Sequence, residues 1–359
     1  MSAYGSTRHM PASSFTPSSS TPAATTLFRR LSWEGTVPLE IRVAPQELPA
    51  NSDRGLECYY IQAPRVSYLP LLVPEIKRFL MDIVFDEMGG RAVKEEDWWF
   101  EGEEGALLKW HWPIGLIYDN YTISSTIRPA APSSSLPNTL AVQPLRLTLH
   151  LTSPPTDKLL MAPSAEACKQ AFMGQLKEAD FLRWGNTKRM TGLRKAEQDG
   201  MWEGIREHNF DDYWRIASKV VPSTVPSSTV PQSTLNQPGH TRPPSADGGE
   251  RDRGDKDGAY NVRSIPVRLY LPDGPVMQDL CPPVLDDGSA HTLGYCLFTH
   301  LPLLFPNSTE QSSPNGISPN LAYALVQGVH TPLDAEMAWL GACMAGADGW
   351  VCICIGIKS

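Results

Sequence analysis

Cysteine, histidine, lysine and arginine are the side chains in this sequence whose chemistry must be placed first. The seven cysteines are Cys58, Cys168, Cys281, Cys296, Cys343, Cys352 and Cys354. Their number is odd and their spacing irregular. There is no CxxC pair and no Cys/His pair at zinc spacing, which predicts reduced thiols and neither a metal nor a cofactor. His111 and Cys168 are the pair to weigh for nucleophilic chemistry, which needs an accessible thiolate beside a base. At 3.6 residues per turn Cys168, Phe172, Leu176 and Ala179 share one helix face, so Cys168 is expected to be a buried, inert thiol. Lys177 points roughly 100–140° away from the centre of that face and projects to solvent. Helix geometry alone makes it an ordinary exposed lysine. No P-loop and no GxGxxG fingerprint is present. The chain reads as a binding protein rather than an enzyme.

Other residues suit contacts. Arg65, in "PRVSYL", offers planar donors for an intradomain salt bridge or for a partner's carboxylates or backbone. Gly115, in "WPIGL", permits close backbone approach, by a tight turn or by a partner helix. His291, in "HTLG", fits a helix N-terminal region with Thr292, or a partner contact. Trp110 and Trp112 flank His111, and strand alternation would set the two tryptophans on one face, with a core role for at least one. Leu27, Phe28, Leu31 and Trp33 form a short amphipathic segment with Arg29 and Arg30 on other sides. It caps the first domain or touches a membrane surface.

The elements that hold these residues are legible from periodicity. Val37 to Val43 and Cys58 to Ala63 read as strands. Leu69, Leu72, Val73, Ile76, Phe79, Leu80, Ile83 and Val84 recur at three- and four-residue steps, as on a helix. Asp97 to Glu101 and Ala106 to Trp110 read as a short strand pair, and Pro144 to Leu151 alternates as "PLRLTLHL". This order suits a ubiquitin-like β-grasp, in which a mixed sheet wraps one helix. From Ser164, a plausible N-cap, to Val221 the pattern is helical, with further stretches at Asn186 to Glu207 and Asp211 to Val221. A second β-grasp follows from Ile265. It contains strands at Ile265 to Leu271, Val276 to Cys281 and Ala324 to Gln327, and helices at Thr292 to Leu304 and Leu333 to Met344. Trp350 to Ile355 closes it as a buried strand, with Cys352 and Cys354 on one face.

Composition sets the limits. The chain has 359 residues, a net charge of -8 and 33 prolines. That charge argues against a nucleic-acid partner bound by bulk electrostatics. The prolines gather in segments too poor in apolar residues to offset their ordering entropy. The predicted division is a disordered tail over 1–26, a short helix over 27–35, and a first ubiquitin-like domain over 36–153 with a disordered insert at 124–143. A helix-rich domain over 154–221, a disordered linker over 222–260 and a second ubiquitin-like domain over 261–359 follow. Neither a signal-peptide core nor an apolar run of membrane-span length is present, which predicts a cytosolic protein.

Several motifs, in order, resemble one family. "PRVSYL", "LKWHWPIGLIYD" and "QLKEAD" are supported by "SWEGTVP", "NFDDYW", "IPVRLY" and "HTLG", spanning Phe28 to the C-terminus. Together they resemble the autophagy protein 5 family. The resemblance implies an α+β fold of two ubiquitin-like domains flanking a helix-rich domain, with a short N-terminal helix. It implies that Lys177 is the acceptor of an isopeptide bond to the ubiquitin-like autophagy protein 12. Further partners would be the N-terminal helix of autophagy protein 16 and, indirectly, the conjugating enzyme of autophagy protein 8. The segment Leu27 to Trp33 would help build the groove for the partner helix, and Trp33, Arg65, Gly115 and His291 are the candidate partner-binding residues. The assembly would act like an E3 ligase, promoting lipidation of autophagy protein 8 through a cysteine of another protein. It would be cytoplasmic and peripheral on the preautophagosomal or phagophore membrane. An unconjugated ubiquitin-like adaptor that binds helices is the alternative. The long tail, the insert before Pro144 and the linker before Asn261 depart from the pattern where loops tolerate insertion.

Overall fold

The computed structural model describes residues 23–48, 58–83, 85, 94–125, 143–159, 164–224, 258–272, 274–306 and 320–358. The stretches 1–22, 126–142 and 225–257, which hold most of the tail, insert and linker expected to be disordered, lie outside the described residues.

The first domain begins with β1 (Thr36–Val43) and β2 (Tyr59–Pro64), followed by α2 (Leu69–Ile83), β3 (Trp99–Glu101), α3 (Ile114–Ser125) and β4 (Leu145–His150), while α1 (Ala23–Glu34) precedes it. The strand order is β2-β1-β4-β3, with β1 and β4 parallel and the outer pairs antiparallel. That parallel central pair with one helix across the sheet is the β-grasp arrangement. Val37, Leu39 and Ile41 of β1 and Leu145, Leu147 and Leu149 of β4 pack on Leu69, Leu72, Val73, Ile76 and Leu80 of α2.

A helical bundle follows, made of α4 (Ala165–Trp184), α5 (Lys188–Thr191), α6 (Lys195–Arg206) and α7 (Phe210–Ala217). Phe172, Leu176, Met201, Trp202, Ile205, Phe210 and Tyr213 fill its core. Gly204 lets α6 and α7 approach closely, since a Cβ there would lie 2.8 Å from the Tyr213 Cβ.

The second domain comprises β5 (Ile265–Tyr270), β6 (Met277–Cys281), α8 (Leu293–His300), β7 (Ala322–Val326), β8 (Val329–His330), α9 (Met337–Cys343) and β9 (Val351–Ile357). Its order is β6-β5-β9-β7-β8, again with a parallel central pair, β5 and β9. One face of this sheet packs on α8 and α9. The other meets α3: Leu116 and Ile123 pack on Tyr270, Leu325 and Cys354. Both described sheets and the helical region between them form the expected α+β architecture.

Several elements differ from the sequence reading. Of the strand expected over Ala106 to Trp110, Leu107 alone makes a bridge, to Glu101. The chain then turns into α3, a helix absent from that reading, whose last residues, Ser124 and Ser125, fall inside the expected insert. Trp110 and Trp112 do not share a face. Trp110 joins the bundle core, while Trp112 packs edge-on to Tyr270 at 5.1 Å. The stretch Asn186 to Glu207 splits into α5 and α6, with Gly192 between them. α8 and α9 are shorter than expected, and α1 starts at Ala23, within the expected tail.

Candidate functional site

The helix α4 is built to start and stop sharply. The Ser164 hydroxyl accepts from the Ala167 N–H at 3.1 Å, and Gly185 closes the helix in the left-handed region at φ 71°. Its buried face carries Cys168, Phe172, Leu176, Ala179, Asp180 and Arg183. Lys177 lies on the opposite side and is exposed, as helix geometry predicts.

The surrounding hexapeptide, Gln175 to Asp180, is held from within the protein at several points. The Gln175 carbonyl accepts from Trp350 Nε1 at 3.3 Å. Leu176 is core. Glu178 pairs with Arg268 at 3.2 Å, and the Arg268 guanidinium sits 3.7 Å over the Trp350 ring. A Cβ on Gly349 would lie 2.9 Å from the Ala179 Cβ, and Gly349 has φ 87°, so glycine is required on both counts. Asp180 is buried, and its carboxylate accepts from the Met190 N–H at 3.0 Å, capping α5 from a neighbouring helix. Arg183, also buried, donates to the Gly349 carbonyl, and burial lowers its pKa to about 10. These contacts clamp α4 against the turn that precedes β9. Lys177 is the exception. Its amine makes no hydrogen bond or ion pair among the described residues. One turn further on, Phe181 is half exposed (50%), which the sequence reading did not single out.

The four candidate contact residues are all buried. Arg65 forms an ion pair with Asp119 at 2.5 Å and donates to the Gly115 carbonyl at 3.2 Å. A Cβ on Gly35, Gly115 or Gly328 would lie 2.7, 2.9 or 2.8 Å from Arg65 atoms. Three glycines from three segments thus make room for one guanidinium between the two ubiquitin-like domains. The intradomain salt bridge was one of the two readings of Arg65, and its donors face inward. Gly115 serves this packing rather than a turn, since it lies within α3. Desolvation raises the Asp119 pKa, a shift that Arg65 opposes. Trp33 stacks on Tyr213 at 4.5 Å in the bundle core. His291 lies under β6, with Nδ1 2.9 Å from the Pro282 carbonyl. Thr292, its neighbour, caps α8 by accepting from the Tyr295 N–H at 3.2 Å.

The outer side of α1 differs. Leu27, Phe28 and Leu31 are exposed at 54%, 43% and 55%, an apolar stripe on a short helix. Arg29, beneath it, donates to the Ala342 carbonyl at 2.9 Å and lies 4.4 Å over Trp214. The helix is therefore pinned by its basic side while the apolar stripe faces out.

The nucleophile reading of Cys168 finds no support. The thiol is fully buried beside the Trp110 carbonyl, and burial raises its pKa to about 12. The structure instead assembles another cysteine–histidine group, Cys281, His291 and Cys296. Their spacing of ten and five residues matches no zinc pattern, so spacing rules missed it.

These features define a class: two ubiquitin folds with an intervening helical bundle. The chain matches the models of the autophagy protein ATG5 UblA domain over residues 32–151, alpha-helical bundle region over 165–223 and UblB domain over 264–355. It belongs to the autophagy protein 5 family. Autophagy protein 5 of Penicillium rubens is 28% identical over 348 residues, covering 90% of this chain and 94% of the relative. That of Phaeosphaeria nodorum is 29% identical, covering 92% and 97%. Crystalline Atg5 of Kluyveromyces marxianus superposes with a TM-score of 0.62 at 17% identity, over 93% of this chain and all of the other. Family membership places the chain in autophagy. Among the described residues, no helix is long and apolar enough to cross a membrane.

Proposed function

We propose that this chain is a non-catalytic scaffold conjugated through Lys177 to the ubiquitin-like autophagy protein 12. One observation carries the assignment: in the segment Gln175 to Asp180, which is otherwise held by the bundle core and the turn before β9, the Lys177 side chain is exposed and makes no hydrogen bond or ion pair among the described residues. An amine attacking a thioester must reach it on another protein's surface, and orientation accounts for much of the rate of such a step. A lysine on a clamped helix meets both needs. The attack also needs a base to take the amine's proton, and no described side chain is hydrogen-bonded to Lys177 to serve as one. Activation therefore falls to the conjugating enzyme. Phe181, one turn away, supplies exposed apolar surface for that encounter.

The exposed stripe Leu27, Phe28 and Leu31 supports binding of the N-terminal helix of autophagy protein 16, by burial of apolar faces. With its partners the chain forms an E3-like complex that promotes lipidation of autophagy protein 8. The complex works from the cytoplasm and sits peripherally on the phagophore membrane. Arg65, Gly115 and Trp33 support that surface from beneath, by fixing the domains and α1. Replacing Lys177 with Arg keeps the charge and removes the primary amine. The expected result is complete loss of the larger covalent species on a denaturing gel of extract from the native cells. Persistence of that species, or an isopeptide mapped by mass to another lysine, would sink the assignment. Absence of any such species from the parent would favour the unconjugated helix-binding adaptor.

A further inference from the structure

We propose that Cys281, His291 and Cys296 bind a zinc ion in the second ubiquitin-like domain. The three residues come from the end of β6, the following loop and the first turn of α8. One ligand atom from each lies within 4.8 Å of the other two, and all three residues are buried. Two thiolates and an imidazole form a soft, borderline donor set that suits zinc.

The histidine is oriented for this role. Its Nδ1 is 2.9 Å from the Pro282 carbonyl, which can only accept, so Nδ1 carries the proton. Nε2 therefore holds the lone pair. A backbone carbonyl that fixes the imidazole through its other nitrogen is the usual outer partner of a zinc-bound histidine. Nε2 lies 3.8 Å from Cys281 Sγ, and the protonated Nδ1 lies nearer, at 3.5 Å. Zn–S of about 2.3 Å and Zn–N of about 2.0–2.1 Å at a tetrahedral angle give an S···N edge of roughly 3.5 Å. Binding therefore requires the Cys281 side chain or the imidazole to turn until the sulfur faces Nε2 rather than Nδ1, together with a shift of a few tenths of an ångström.

The backbone around the histidine is also held. The His291 N–H donates to Pro283 and its carbonyl accepts from Met337, at 3.2 and 2.8 Å. Burial argues against catalysis by these thiols, because a substrate has no access to them, whereas an ion bound during folding needs none. On binding, each cysteine yields its thiol proton to solvent, and zinc takes the two sulfur lone pairs and that of Nε2. His300 is one turn beyond Cys296 on α8, on the same face, and now pairs with Asp279 at 3.1 Å. It, or a water, completes the tetrahedron.

The test uses the full-length chain, purified under reducing conditions, and metal ions alone. Elemental analysis should find about one zinc per chain after incubation with zinc and desalting. Cobalt titration should give tetrahedral d–d bands and a thiolate-to-cobalt charge-transfer band, which report the ligand set without any substitution. Cys296→Ser and His291→Gln should each abolish stoichiometric uptake, while Cys343→Ser, at another buried cysteine, should leave it intact. Four results would overturn the proposal. One is a reduced parent chain that binds neither metal. The second is a cobalt spectrum without sulfur charge transfer. The third is uptake that survives both ligand substitutions. A mass two hydrogens short at Cys281 and Cys296, with no uptake after reduction, would mark the pair as a disulfide and refute a metal site.

Discussion

The two ubiquitin-like domains share a topology but not an environment. In the first, the outer face of the sheet carries Glu40 between Arg42 and Arg146, with Tyr60 exposed at 63%. In the second, the corresponding face carries Tyr270, Leu325 and Cys354, covered by α3. The first sheet has a solvated face, whereas in the second the central strands β5, β9 and β7 are mostly covered on both faces and exposure falls mainly on the edge strands β6 and β8. The sequences follow. β1 and β4 alternate, as a half-buried strand must, while β9 reads "VCICIGI" without interruption, as a strand buried on both faces must. The covered face is what joins the domains, and the Arg65–Asp119 pair lies at its edge. The clamp on α4, through Arg183 and Gly349, belongs to the same second domain. The domain sheltered on both sides therefore braces the helix that displays Lys177.

Removing one partner of the buried pair should have the largest effect. Asp119→Ala leaves a guanidinium buried among three glycines without its counter-ion, at a cost of about 3–5 kcal/mol. Urea denaturation measures it. A loss below about 1 kcal/mol would mean that the domains are held elsewhere.

Truncating the covered face comes next. Tyr270→Ala should destabilise by about 3 kcal/mol, while Tyr60→Ala on the solvated face should leave the urea midpoint unchanged. Equal effects would erase the distinction between the two sheets.

The smallest effect is a pH dependence on the sheltered side. Burial holds the Asp348 carboxyl above its ordinary range. The folded chain then retains that proton to higher pH than the unfolded chain. Its contribution is complete below the ordinary aspartate pKa, about 4, and is lost as pH rises through the raised value. Asp348→Asn should flatten that decline relative to the parent. Urea midpoints measured across the mildly acidic range will show it, and a steeper decline in the variant would contradict the sign.

Much of this fold is legible in the sequence, for reasons that name themselves. The stripe from Leu69 to Leu80 is amphipathic because one side of α2 meets the sheet and the other meets water. Ser164 announces α4, and the alternation in Pro144 to Leu151 announces β4. α3 escaped notice because Ile114, Leu116, Ile117 and Ile123 point to more than one partner: the first sheet buries some and the second buries others. A helix that is apolar on several sides has no stripe to detect. α5 and α6 read as one helix because Gly192 interrupts them without a change in composition.

Of the residues with chemical potential, the sequence by itself determined that Cys168 is buried and Lys177 exposed. Both follow from position on a single helix, where 100° per residue settles the outcome locally. It left Arg65 between an internal pair and a partner contact, and it gave no sign that Cys281, His291 and Cys296 meet. Those outcomes depend on how separate segments are brought together. Arg65 and Asp119 are 54 residues apart, and the cysteine–histidine group closes only through the path of the loop between β6 and α8. No periodicity encodes such meetings. They are decided when helices and sheets dock, because burial then forces each polar group to find a partner.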